Sequence, residues 1–183
     1  MPAQQNRSIN ELIEVTSHGD KDHRYMALSD IDKQLQRDDV RINSQEEVRV
    51  VDAILKSLTD PVNDVKTAAV KCVAGLAKKV KSSLIAGICK KLCELIRSSE
   101  KDNAKLRDVY RIALKKLIED IPVAMGQEIS KSVSDELVFG IKKDQLDAAV
   151  KRECLIILEQ LLKRFGTSVA SKHESIIEDV LQC

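Results

Sequence analysis

The chain has 183 residues, 43% hydrophobic and 32% charged, enough for one soluble folded domain with a sizeable core. A net charge of +1 excludes a general pull toward nucleic acid or an anionic membrane. With 2% aromatic residues, no Trp, six Gly and three Pro, a strand-rich fold is excluded and the core must come from Leu, Ile, Val and Ala on helices.

Met1-Pro-Ala-Gln-Gln-Asn-Arg7 is polar and does not read as a signal peptide, and no window approaches the length of uncharged apolar residues that a membrane span needs. Ser8-Ile-Asn-Glu11 is a capping box that opens a first amphipathic helix through Ile9, Leu12, Ile13 and Val15. After the turn at Ser17–Asp20, a second helix begins near Asp22 and continues through Leu28, Ile31 and Leu35. Ser44-Gln-Glu-Glu47 reads as another capping box, and Val48, Val51, Ile54, Leu55 and Leu58 carry the third helix. Asp60-Pro61 is a turn in which the aspartate can cap and the proline can occupy the first helical turn.

The fourth helix has apolar residues at Val65, Ala69, Cys72, Val73 and Leu76, one face of a 3.6-residue helix. The small pair Ala68-Ala69 lets another helix come close. Leu84, Ile85, Ile88, Leu92, Leu95 and Ile96 mark a fifth helix. The sixth starts near Leu106 and stops near Ile121-Pro122. Ile129, Val133, Leu137, Val138 and Ile141 make a seventh. Leu146, Val150, Cys154, Ile157, Leu158, Leu161 and Leu162 make an eighth that ends at Phe165-Gly166. A third capping box, Ser171–Glu174, precedes a ninth apolar face at Ile176, Ile177, Val180 and Leu181.

These helices pair into a repeat. Superposing the second helix of each pair aligns Arg24, Lys66, Arg107 and Lys151 at spacings of 42, 41 and 44 residues, in the range of HEAT and armadillo repeats. Acidic residues recur just upstream, at Asp20 and Asp22, Asp60 and Asp64, Asp102, and Asp144 and Asp147. The expected fold is all-α, a HEAT-repeat solenoid of about four and a half helix pairs in one domain, with repeats near 8–40, 44–80, 82–121 and 127–166 and an incomplete one at 171–183. Arg24, Lys66, Arg107 and Lys151, with Asp60 and Asp64, are the expected charge ladder between repeats. The face through Ile176, Ile177, Val180 and Leu181 lacks its partner helix and is the expected contact for a continuation, in the same chain or a second one.

No catalytic constellation emerges. Cys89 and Cys93 lie one helical turn apart, but no further His, Cys or Asp completes a tetrahedral set, so no metal or other cofactor is expected. Cys72, Cys89, Cys93 and Cys154 fall in apolar helical patterns and read as buried thiols of a reducing compartment. His18, His23 and His173 sit near helix starts and read as caps or solvent-facing groups. The basic clusters, such as Lys78, Lys79 and Lys81 or Arg107, Arg111, Lys115 and Lys116, read either as ordinary solvated helix surface or as a positive stripe for an acidic partner protein.

One resemblance is specific. The run Ile9–Ala27, above all Asp20-Lys-Asp-His-Arg-Tyr-Met-Ala27, resembles the first repeat of the CAND family of cullin-associated exchange factors. So do Ala69-Val-Lys-Cys72, Lys79-Val-Lys81, Leu106-Arg-Asp-Val109 and Leu114-Lys115. The resemblance implies the N-terminal part of a longer all-HEAT protein, cytoplasmic and nuclear. It implies a non-enzymatic scaffold that embraces unmodified cullin–RING ligase at the cullin C-terminal region, beside the RING subunit. Such a scaffold contributes to regulating cullin modification and substrate-receptor exchange. Partners would be a cullin, its RING subunit and, for a split member, a second chain carrying the C-terminal repeats, with no nucleic acid, membrane or small-molecule substrate. The competing expectation is another HEAT scaffold or transport adaptor, karyopherin-like or phosphatase-scaffold-like. Because second helices usually line the concave face of a solenoid, the expected partner contacts are Lys71, Arg111, Lys115, Lys151 and Arg152.

Overall fold

A computed structural model describes residues 7–98, 103–143, 146–166 and 178. Eight α-helices run in chain order: α1 (Ile9–Val15), α2 (Lys21–Gln36), α3 (Ser44–Ser57), α4 (Asn63–Leu76), α5 (Ser82–Ser98), α6 (Ala104–Asp120), α7 (Gly126–Lys142) and α8 (Ala148–Phe165). The fold is an all-α repeat solenoid. The expected ninth helix, with Ile176, Ile177, Val180 and Leu181, lies outside the described residues, as do His173 and Cys183.

Local chemistry sets most boundaries. Ser8 and Glu11 form the reciprocal capping box at α1. Asp20 caps α2 by accepting from the Asp22 amide, and Asp147 caps α8 by accepting from the Ala149 amide. The box at α3 sits one residue earlier than its sequence suggests. Asn43 is the cap, and Glu46 returns the bond to the Asn43 amide. An amide oxygen caps as well as a hydroxyl does, so two overlapping boxes were available. The core stripe of α3 shifts with it. Val50 is fully buried, whereas Val48 is exposed.

Asp60 does not cap α4. The helix starts after Val62 with no side-chain cap, and Pro61 precedes it. Asp60 Oδ1 accepts instead from the Val62 amide at 2.8 Å, closing an Asx-type turn. Chain exit from α6 at Ile121 follows from Pro122, which disfavours helical backbone in the residue before it.

Helices pack as pairs, α1 with α2, α3 with α4, α5 with α6 and α7 with α8. The second helices form one continuous layer, α2 on α4, α4 on α6 and α6 on α8. In the other layer α1 meets α3 and α5 meets α7, but α3 and α5 barely touch. The core between the layers is mostly Leu, Ile, Val and Ala, with two aromatics that composition did not lead one to expect there, Tyr110 and Phe165. All four described cysteines are buried, free thiols, and burial raises the Cys89 pKa to about 12 and the Cys154 pKa to about 11.

Gly75, Gly126 and Gly140 all sit where helices come close, and the first two show what glycine admits. A Cβ at Gly75 would lie 3.0 Å from Leu35 Cβ, so with any larger residue there Leu35 would have to give by a few tenths of an ångström for α4 to seat on α2. A Cβ at Gly126 would meet the Phe165 ring, so the start of α7 depends on glycine to admit it. Nearby, the Cys72 thiol donates to the Leu28 carbonyl, binding α4 to α2.

Ala69 is fully buried on the layer that contacts both α2 and α6. We expect Ala69→Leu to cost about 1–3 kcal/mol by overpacking, measurable as a lower urea midpoint.

Candidate functional site

Helical spacing decides which side chains share the outer surface of the second-helix layer. One position after the aligned cations come Tyr25, Thr67, Asp108 and Arg152, and four further on come Ser29, Lys71, Ile112 and Ile156. Tyr25, Thr67, Lys71, Asp108, Ile112, Arg152 and Ile156 are exposed, so these positions face away from the core. Consecutive helices present them side by side because the layer is continuous.

The two ends of this surface differ in chemistry. Between α2 and α4 lies a cleft of about 390 Å³ lined by Lys21, Asp22, Tyr25, Asp32, Asp64 and Lys71, among others. Carboxylates there outnumber ammonium groups, so Lys71 stands in acidic company and not in a positive stripe. Across α6 and α8 the surface turns basic and apolar. Lys115, Lys116 and Arg152 are exposed and make no ion pair with any described residue. Ile112, Leu155 and Ile156 are exposed beside them.

Two expected contacts prove to be engaged or recessed. The Arg111 guanidinium lies 2.9 Å from Glu153 and 3.5 Å from Asp108, and its side chain is 27% exposed. It ties α6 to α8. Lys151 is half-buried and makes no ion pair among the described residues.

The expected ladder is realised unevenly. Arg24 forms a two-pronged bond to Asp60, Nε to Oδ2 at 2.7 Å and Nη2 to Oδ1 at 3.0 Å, joining the first repeat to the second. Its Nη1 also donates to the His18 and Gly19 carbonyls. The side chains of Arg24 and Asp60 are 13% and 9% exposed, so this pair is sheltered. Burial pushes the Asp60 carboxyl up, but the Arg24 and Val62 hydrogen bonds and the charges of Arg24 and Lys66 hold it below its usual value.

Lys66 is half-buried and makes no direct ion pair among the described residues, and Asp64 is exposed. Arg107 is buried, and its Nη1 has no partner among the described residues. Asp102 and Asp144, the acids upstream of Arg107 and Lys151, lie outside them.

Sequence reading missed several inter-repeat ties, two of them sheltered. Arg97 Nη2 bonds Glu136 at 2.7 Å across α5 and α7, and Arg111 meets Glu153 across α6 and α8. The available signal was opposite charge one repeat apart, 39 and 42 residues on. The apolar pair Ile112 and Ile156 was also missed, although both stand five residues after an aligned cation.

The described residues contain no group of three or more His, Cys, Asp and Glu able to hold a metal ion, and no described helix is long and apolar enough to cross a membrane. His18 and His23 are exposed, and the Asp20 amide donates to His18 Nδ1 at 3.0 Å.

A HEAT repeat model matches residues 50–80. The chain is 33% identical over 178 residues to mouse (Mus musculus) Cullin-associated NEDD8-dissociated protein 2, covering 94% of this chain and 14% of that protein. It is 32% identical over 162 residues to Cullin-associated NEDD8-dissociated protein 1 of Arabidopsis thaliana, covering 88% and 13%. With the Drosophila melanogaster protein of that name it shares 33% over 184 residues, covering 99% and 14%. The chain thus spans about one seventh of the length of these relatives.

The Arg24–Asp60 tie yields a pH test. A carboxyl held below its unfolded pKa adds stability that is fully present above the unfolded value, near 4, and is lost as pH falls through the folded value. We expect Asp60→Asn to lower the melting temperature at pH 7 and the gap from the unaltered chain to close below about pH 4. Thermal melts by circular dichroism across that range check it.

Proposed function

From a chain related over nearly its whole length to a segment of the CAND proteins, we propose a non-enzymatic HEAT-repeat scaffold that binds cullin–RING ligase. The similarity to cullin-associated relatives, at 32–33% over 88–99% of the chain, is the observation that carries this reading. The segment corresponds to the N-terminal repeats of such a factor. It holds the unmodified cullin at its C-terminal region, beside the RING subunit, in the cytoplasm and nucleus. It contributes there to the control of cullin modification and receptor exchange. The remaining repeats, whether in one longer chain or a second chain, supply what this segment lacks for exchange.

The second-helix surface suits that role at its α6–α8 end. Lys115 and Arg152 are unpaired cations ready for carboxylates, and Ile112 and Ile156 give them an apolar centre to surround. That arrangement, apolar contact with a charged rim, is how protein interfaces are built. Lys71 and half-buried Lys151 flank it. Arg111 acts through the fold, by tying α6 to α8.

The proposal makes separable predictions. Lys115→Glu with Arg152→Glu should weaken binding to an unmodified cullin–RING complex about tenfold or more, with the loss larger at low salt and the melting temperature unchanged. Arg111→Glu should instead lower the melting temperature, because it sets like charge against Glu153. Titration calorimetry with unmodified and modified cullin completes the test, and equal affinity for the two forms would overturn the mechanism.

A further inference from the structure

The serine that the sequence offers as the cap of α3 is not used as one. Asn43 takes that place, accepting from the Gln45 and Glu46 amides, and Ser44 becomes the first residue of the helix. Ser44 is exposed, and its Oγ accepts instead from Lys81 Nζ at 2.6 Å. Lys81 belongs to the turn 77–81 that joins α4 to α5. Lys79 of the same turn donates to the Arg37 and Val40 carbonyls at 2.6 and 3.2 Å. Two ammonium groups therefore latch this turn onto the segment between α2 and α3 and onto the start of α3.

The approach to Ser44 suits an enzyme that modifies hydroxyls. Residues 40–43 carry no helix, and the Asn43 backbone is extended, at φ −80° and ψ 167°. Arg41 stands three residues before Ser44, exposed and without an ion pair among the described residues. Among the described residues, Ser44 is the one exposed serine with an arginine at that spacing. A guanidinium ahead of a hydroxyl on an extended chain is what a protein kinase with acidic substrate-binding residues can grip.

The surroundings also favour the product. A phosphoserine in the first turn of a helix meets the positive end of the helix dipole. Here the Lys81 ammonium already stands at hydrogen-bond distance from the oxygen that phosphorus would join. The neighbouring acids are committed elsewhere. Glu46 accepts from the Asn43 amide and from Asn10 Nδ2, and Glu47 is turned into the core, 8% exposed.

We propose that Ser44 is a phosphorylation site for a basic-directed serine/threonine kinase, and that its phosphate tightens the latch between the α4–α5 turn and α3. In the transfer, Ser44 Oγ attacks the γ-phosphorus of ATP. A new O–P bond forms as the bond to the β,γ-bridging oxygen breaks, ADP leaves, and the hydroxyl proton passes to the kinase's catalytic carboxylate. Lys81 then faces an anion in place of a neutral hydroxyl. The site uses none of the residues assigned to the cullin contact.

The test incubates the whole chain with Mg–ATP and the catalytic subunit of cAMP-dependent protein kinase, which selects arginine before serine. Tandem mass spectrometry should place phosphate on Ser44, and Arg41→Ala should slow its incorporation about tenfold or more. The phosphorylated chain should melt about 2–4 °C above the unmodified chain by circular dichroism. Ser44→Ala, which keeps the Asn43 cap, should show no rise after the same treatment, and Lys81→Met should lose the rise while still taking the phosphate. A Ser44 left unmodified, or modified as fast in Arg41→Ala as in the parent, overturns the site. A phosphate that lowers the melting temperature, or raises it equally in Lys81→Met, overturns the latch.

Discussion

The apolar faces of these helix pairs cannot be buried within a single pair, and that constraint organises the molecule. Each pair must lay its core against the next, so contacts run from one repeat to its neighbour and rarely beyond. The small residues follow from it. Ala69 and Gly75 are where α4 meets the adjoining second helices, and there a larger side chain would hold the layer apart. The same constraint explains why the core holds so few aromatics. Aliphatic side chains interdigitate between close helices, and the two large rings sit where the stack departs from its regular spacing, Tyr110 under the α3–α5 gap and Phe165 at the close entry of α7.

Charge works on two separate levels. Sheltered pairs, Arg24 with Asp60 and Arg97 with Glu136, use both ends of the charge within the protein and fix the register of neighbouring repeats. Bidentate guanidinium geometry suits this, because it constrains angle as well as distance. Exposed cations such as Lys115 and Arg152 make no ion pair among the described residues and stand in solvent. The distinction separates Arg111 from Lys115, which are one helical turn apart and look alike in the sequence.

The architecture was legible because it is written redundantly. Caps at Ser8, Asp20 and Asp147, the 3.6-residue stripes and a period of about 42 residues all point to stacked helix pairs. Errors arose where two local solutions were nearly equal in energy. Asn43 and Ser44 can each open α3, and the choice moved Val50 inward and Val48 outward. Asp60 could cap a helix or close a turn, and the distant Arg24 favoured the turn. The candidate surface was less legible. Whether Arg111 or Lys71 is free depends on which acid the neighbouring repeat sets against it, and a helical wheel drawn for one helix carries no such information. Tyr110 illustrates the limit further: its spacing marks it as core, but only the separation of α3 from α5 places it along a groove.

That separation also bears on mechanics. Between the second and third repeats the stack is joined along one seam, α4 on α6, while every other junction is supported in both layers. Such a junction behaves as a hinge whose axis follows the seam. Bending about it changes the width of the outer gap and, by leverage, the curvature that the second helices offer to whatever they embrace.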